Sequence, residues 1–258
     1  MSTPEVLVHR DAAALAQAIA ARLVTRIVDV AAARGRAHIA LTGGTMGSAC
    51  LAALAGSPAR DSIDWSSVHV WWGDDRYVAS DDPDRNERQA RAALLDSVPI
   101  DPAHVHAMPS SDSGLSVEAA AAAYAEELRA ASRPEDHAAL PSFDVCLLGI
   151  GHDAHVASLF PQAPALHERE RTVVGVHGAP KPPPTRVSLT LPALQASAEV
   201  WIIAAGRGKA DAVRLALSDA GPTQVPAAGA RGRERTLVLL DADAASALPP
   251  DMRRLASP

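Results

Sequence analysis

Leu15, Ile19, Leu23, Ile27 and Val30 recur every three to four positions, and this spacing predicts a helix with those side chains on its inward face. Asp11 is placed to cap its start and Gly35 to end it. The rest of the apolar pattern has a different period. Short unbroken runs at 38–42 (HIALT), 68–72, 143–149, 172–176, 186–190, 199–205 and 236–240 predict strands, and their lack of polar alternation means burial on both faces. Residues 45–54, 86–95 and 117–131 have helical composition, whereas 80–85, 133–141 and the proline-rich 179–184 (APKPPP) read as loops. Strands alternating with helices predict an α/β fold with a mostly parallel sheet covered on both faces. At 258 residues and 48% hydrophobic composition the chain can bury a large core, and no repeat or long linker divides it, so residues 1–258 are expected to form a single domain.

In such sheets the loops at the carboxyl ends of the strands face a crevice and bind ligands. Three polar turns fall there. Thr42-Gly43-Gly44-Thr45 leads from a strand into a helix, where backbone N–H groups and the helix dipole favour an anion, although glycine is also used merely to turn. Gly73-Asp74-Asp75-Arg76, with Asn86 ten residues after the arginine, is either a loop ion pair or an Arg fork for phosphate or carboxylate. The third turn, in LLGIGHDAHVASLFP, spaces Asp153 and His155 so that the carboxylate can fix the imidazole tautomer and stabilise imidazolium. That pairing makes a general base. The Ala-Ser-Leu that follows is expected to begin a helix.

Charge and composition narrow the chemistry. With 30 acidic and 24 basic residues the formal net charge is −6, so nothing draws the chain to nucleic acid or an anionic membrane, and an anionic ligand needs a local site. Of the basic residues only Lys181 and Lys209 are lysines. Lys209 stands at the start of a helix, where its charge opposes the dipole; a bound phosphate would account for it, as would an ordinary solvated lysine. Cys50 and Cys146 lie in apolar segments and act as small hydrophobes, without a disulfide or zinc site. His152, Asp153 and His155 lack a further ligand group, so no metal is expected. Neither is a covalent serine mechanism: there is no G-x-S-x-G elbow, and Ser158 fits capping or packing at a helix start. The histidines at 9, 38, 69, 104, 106, 137, 167 and 177 are expected to be structural or on the surface. Without a leader-like N-terminus or a long apolar run, the protein is expected in the cytoplasm. The sequence carries no signal for an oligomeric state.

Taken together, the GGT turn, GDDR with Asn86, GIGHDAHVASLFP, KPP with R-x-S-x-T, the Gly206–Lys209 G-x-x-K and the terminal LLDADAA resemble 6-phosphogluconolactonases, in order and spacing, over most of the chain. The resemblance implies a three-layer, Rossmann-like α/β/α fold shared with sugar-phosphate isomerases and deaminases. It also implies metal-independent, cofactor-free hydrolysis of a sugar-phosphate lactone in the oxidative pentose phosphate pathway. His155 would then be the base and Asp153 its partner. Gly43, Gly44, Thr45, Asp75, Arg76, Asn86, Lys181, Arg186 and Lys209 would contact substrate, the phosphate included. The chain departs from the family pattern at His152 and Ala154, where G-P-D-G-H is common, at Asp75, where Glu is usual, and at Met46-Gly47, where Thr-Pro is usual. Ala154 thus occupies a position that favours positive φ. Two other readings stay open: a glucosamine-6-phosphate deaminase or isomerase, whose G-x-D-G-H continues to an asparagine-glutamate pair rather than SLFP, and a non-catalytic sugar-phosphate sensor, expected beside a DNA-binding module.

Overall fold

The computed structural model describes residues 2–136 and 138–256. In chain order the strands are β1 (Pro4–His9), β2 (Ala37–Leu41), β3 (Val68–Trp72), β4 (Asp74–Arg76), β5 (Val145–Gly149), β6 (Val173–Val176), β7 (Arg186–Leu189), β8 (Glu199–Ala204) and β9 (Arg235–Asp241). The longer helices are α1 (Ala12–Arg34), α2 (Gly44–Ala55), α3 (Asn86–Ala93) and α4 (Val117–Ala131), with short α5 (Leu191–Gln195) and α6 (Ala210–Ala216). Six strands form a parallel sheet in the order β1-β9-β8-β5-β2-β3, giving the expected α/β fold.

The predicted first helix is present with its ends as expected. Asp11 accepts the Ala14 amide, Gly35 takes φ +76° at the C-terminus, and Leu15, Ile19, Leu23, Ile27 and Val30 are all buried. Packed against α2, α1 covers one face of the sheet. α4 packs on β6 and β7 and sends Tyr124 to the end of β3, where its hydroxyl accepts the Trp72 amide.

The elements differ from the sequence expectation in four ways. β1 was not predicted; it pairs with β9 in register from Pro4 to His9. The GDDR turn contains a strand, β4. The runs 172–176 and 186–190 belong not to the main sheet but to an antiparallel sheet ordered β4-β7-β6. No helix follows His155: residues 157 and 158 form a turn closed by a bridge between Val156 and Leu159, with Ala157 at φ +49°. Leu159 and Phe160 are buried there, so tertiary packing overrides local helix propensity.

Cys50 and Cys146 are buried and free, and burial pushes both thiols up to about 12. His106 stacks on Trp71, His69 stacks with His38 and His106 and lies against His104, and Trp71 donates to His38 Nδ1. His38 and His69 lie in the first half of their strands, away from the carboxyl edge. His177 reaches Glu118 across the surface, and His137 lies outside the described residues. Among the described residues, no helix is long and apolar enough to cross a membrane.

Candidate active site

Because β8, β5, β2 and β3 are successive neighbours, the loops that leave their carboxyl ends converge. They enclose a cavity of about 500 Å³ whose wall includes Gly43, Gly44, Thr45, Asp74, Arg76, Asn86, Gly151, His155, Lys181, Arg186 and Lys209. The antiparallel sheet supplies part of this wall. Arg76 on β4 is the register partner of Arg186 on β7, so two guanidinium groups stand on adjacent strands.

His155 is held by its own loop. Its Nδ1 lies 2.5 Å from Asp153 Oδ1, and because an ionised carboxylate only accepts, Nδ1 carries the hydrogen and Nε2 keeps its lone pair. The His155 carbonyl accepts the Gly151 amide, which folds the loop back on itself. That return needs glycine at 151: a Cβ there would run into the His155 ring and the Asp153 carboxylate. Ala154 takes φ +63°, the left-handed conformation foreseen for that position, at a cost of about 1–2 kcal/mol. Phe160 packs its ring 4.4 Å from the imidazole. Burial pushes the His155 imidazole below its ordinary value, against the hydrogen bond and charge of Asp153. For Asp153, burial raises the carboxyl, but the hydrogen bond and charge of His155 prevail and hold it below the usual carboxylate range.

The cavity is rich in cations. Arg76, Lys181, Arg186 and Lys209 all line it, against one carboxylate on its wall, that of Asp74. Arg76 donates to the Asn86 side-chain oxygen and to the Asp84 carbonyl, while its Nε is buried with no partner among the described residues. Gly43 permits the approach of Asn86, since a Cβ at 43 would overlap the Asn86 amide. At the start of α2, Gly44 N–H donates to the Gln89 side chain at 3.3 Å. Arg186 is 5% exposed and donates to the carbonyls of Lys181, Pro182 and Pro183, so it shapes the loop that presents Lys181. Lys209 Nζ donates to the Ile150 carbonyl at 2.8 Å, and burial, reinforced by the Lys181 charge, pushes its ammonium below the usual lysine range.

Asp75 sits behind this wall rather than on it. It is 1% exposed, and its carboxylate accepts the amides of Arg76, Asn86 and Glu87, so it caps the start of α3 from β4. Burial pushes its carboxyl up to about 6 against the nearby Arg85 charge. The cavity carboxylate is Asp74, which sequence reasoning did not single out. Ser158 is buried and its hydroxyl donates to Asp74 Oδ2 at 2.6 Å, so its role is to hold that carboxylate, not to cap a helix. Asp153 likewise lies off the cavity wall, acting on His155 from behind. Among the described residues, no group of three or more His, Cys, Asp or Glu side chains is arranged to hold a metal ion.

The family profile described as glucosamine-6-phosphate isomerases/6-phosphogluconolactonase matches residues 10–239. A 6-phosphogluconolactonase of Streptomyces coelicolor is 64% identical over 249 residues, covering 96% of this chain and 95% of that protein. One from Mycobacterium tuberculosis is 52% identical over 241 residues, or 93% of this chain and 96% of the other. Among solved structures, 6-phosphogluconolactonase from Leishmania guyanensis aligns with a TM-score of 0.81 at 25% identity, covering 96% of this chain and all of that one. A monomeric glucosamine-6-phosphate deaminase shares the fold at 19% identity, with a TM-score of 0.77 over 94% of this chain and 99% of that chain. With the profile running from the residue after β1 into β9, and relatives more than half identical over nearly their whole length, the chain belongs to the glucosamine-6-phosphate isomerase/6-phosphogluconolactonase family.

Proposed function

We propose that this protein, acting as one domain, hydrolyses 6-phospho-D-glucono-1,5-lactone to 6-phosphogluconate, with His155 as general base and no metal or other cofactor. The observation that carries the reading is a neutral-ready imidazole, pinned through Nδ1 to Asp153, facing a cavity lined by four cationic side chains in a chain of net charge −6. Its relatives from Streptomyces coelicolor and Mycobacterium tuberculosis carry the same activity in their names.

A δ-lactone carbonyl is already electrophilic, so the chemistry asks for little. His155 Nε2 takes a proton from water as its oxygen adds to C1, and the imidazolium formed is stabilised by Asp153. The tetrahedral intermediate then collapses: the bond from C1 to the ring oxygen breaks, and the proton on Nε2 passes to that oxygen. Arg76, Lys181, Arg186, Lys209 and the N–H groups of Gly43 and Thr45 bind the phosphate and the sugar, joined by that of Gly44 when it exchanges its long contact with Gln89 for the substrate. Asn86 orients Arg76, and Asp75 holds Asn86 in place by capping α3. Asp74, kept oriented by Ser158, is suited to accept hydrogen bonds from sugar hydroxyls.

The deaminase reading lacks support at one place. Where deaminases continue to an asparagine-glutamate pair, this chain has Leu159-Phe160, and the Phe160 ring lies against the base. Assay of lactone hydrolysis beside ammonia release from glucosamine 6-phosphate separates the two: fast hydrolysis with negligible ammonia is expected, and comparable ammonia release reverses the assignment. Dialysis against a chelator is expected to leave hydrolysis unchanged. Loss of activity restored specifically by zinc would require a mechanism other than the one above.

A further inference from the structure

Two polar contacts join the turn that carries His155 to the turn that carries Lys209. One is the Lys209 ammonium on the Ile150 carbonyl. The other is His152, whose Nδ1 lies 2.6 Å from the Gly208 carbonyl oxygen. A carbonyl oxygen only accepts, so Nδ1 of His152 carries a hydrogen in this contact.

The Gly206–Lys209 turn is closed by its own backbone, Lys209 N–H on the Gly206 carbonyl and Ala210 N–H on that of Arg207, which leaves the Gly208 carbonyl at its tip for an outside donor. At its base the Asp241 carboxylate, at the end of β9, accepts the Gly206 amide with both oxygens at 3.0 Å. Beyond that anchor come Gly206 at φ +88°, exposed Arg207 and Gly208, so the stretch leading to Lys209 has two residues without side chains to pack and one in solvent. His152 fastens the carbonyl immediately before Lys209. The ring itself is exposed and stands outside the cavity wall, so it does not reach the substrate directly.

We infer that His152 is a positioning residue, whose Nδ1–H holds the 206–209 turn so that the Lys209 ammonium is aimed into the cavity before a phosphorylated substrate arrives. The inference rests on the lactonase reading for the identity of that substrate. A pre-ordered turn lowers the entropy lost on binding, and the effect belongs in KM rather than in kcat.

His152→Ala is therefore expected to raise KM for 6-phosphogluconolactone roughly three- to tenfold, the usual effect of one hydrogen bond, with kcat changed by less than about twofold. His152→Asn, which keeps an N–H donor on a side chain of similar reach, is expected to restore most of the affinity. In a Lys209→Ala background, His152→Ala should add almost nothing, because the residue acts through the lysine. An equal rise in KM in that background, a loss confined to kcat, or wild-type kinetics for His152→Ala would overturn the inference. Nitrogen-15 NMR of the imidazoles tests the contact without catalysis: a hydrogen on Nδ1 of His152 is expected, and a ring carrying it on Nε2 alone refutes the clamp. Wild-type protein that fails to hydrolyse the lactone would instead refute the functional reading, leaving the NMR result to decide the clamp.

Discussion

His155→Ala is expected to fold normally and to lose roughly 10²- to 10⁴-fold in lactone hydrolysis, the usual contribution of a general base. The fold should survive because the imidazole's hydrogen bond is to its own loop, at Asp153, and Phe160 remains buried beneath the gap. Turnover near that of the wild type, after subtraction of spontaneous hydrolysis, sinks the assignment. The pH dependence supplies an independent check. The base acts neutral, so the rate falls as pH drops through the imidazole pKa; burial pushes that pKa down, and the acid limb should lie below the ordinary histidine value of about 6.5. Asp153→Asn removes the partner that opposes this shift. The limb should then move further toward acid, while the plateau rate falls because neither tautomer nor imidazolium is stabilised. A limb that moves toward neutral pH in this variant contradicts the proposed pairing.

How far the site could be read from sequence depends on which periodicity governed each stretch. The long helix and the buried parallel strands were legible because their apolar spacing is set by burial against one core. The convergence of the GGT, GDDR and GHDAH turns followed from the rule that ligands sit at carboxyl strand ends, and β5, β2 and β3, which they follow, do lie side by side. From sequence GDDR reads as a turn, holding either a loop ion pair or an Arg fork. It contains strand β4, and successive side chains on a strand point to opposite faces. Asp74 and Arg76 therefore reach the cavity, whereas Asp75 points back and caps α3. Treating DDR as period two would have exchanged the roles of the two aspartates. Ser158 escaped for a related reason: its partner Asp74 is distant in sequence, and no local pattern announces a hydrogen bond of that range. The first strand, PEVLVH, is too short an apolar run to announce itself in the sequence. Its pairing with β9, at the other end of the chain, is what makes it a strand.

Lys209→Ala is expected to reduce kcat/KM for 6-phosphogluconolactone about tenfold to a hundredfold while hardly changing the poorer hydrolysis of unphosphorylated gluconolactone. A hydrogen bond to a charged group is worth roughly 1.5–3 kcal/mol, and only the phosphorylated substrate presents the dianion that would draw on it. The setting favours a large effect. Lys209 is partly buried, one of its donors is already committed to the Ile150 carbonyl, and the like charge of Lys181 adds to the burial that disfavours its ammonium until an anion enters. Phosphate binding should relieve that penalty. The ratio of the two losses therefore diagnoses the role. Equal losses on both lactones would make Lys209 a support for the His155 loop, through its bond to Ile150, and not a phosphate ligand. No loss on either would return it to an ordinary solvated lysine and would leave Arg76, whose buried Nε has no partner among the described residues, with Arg186 and the start of α2, to bind the phosphate.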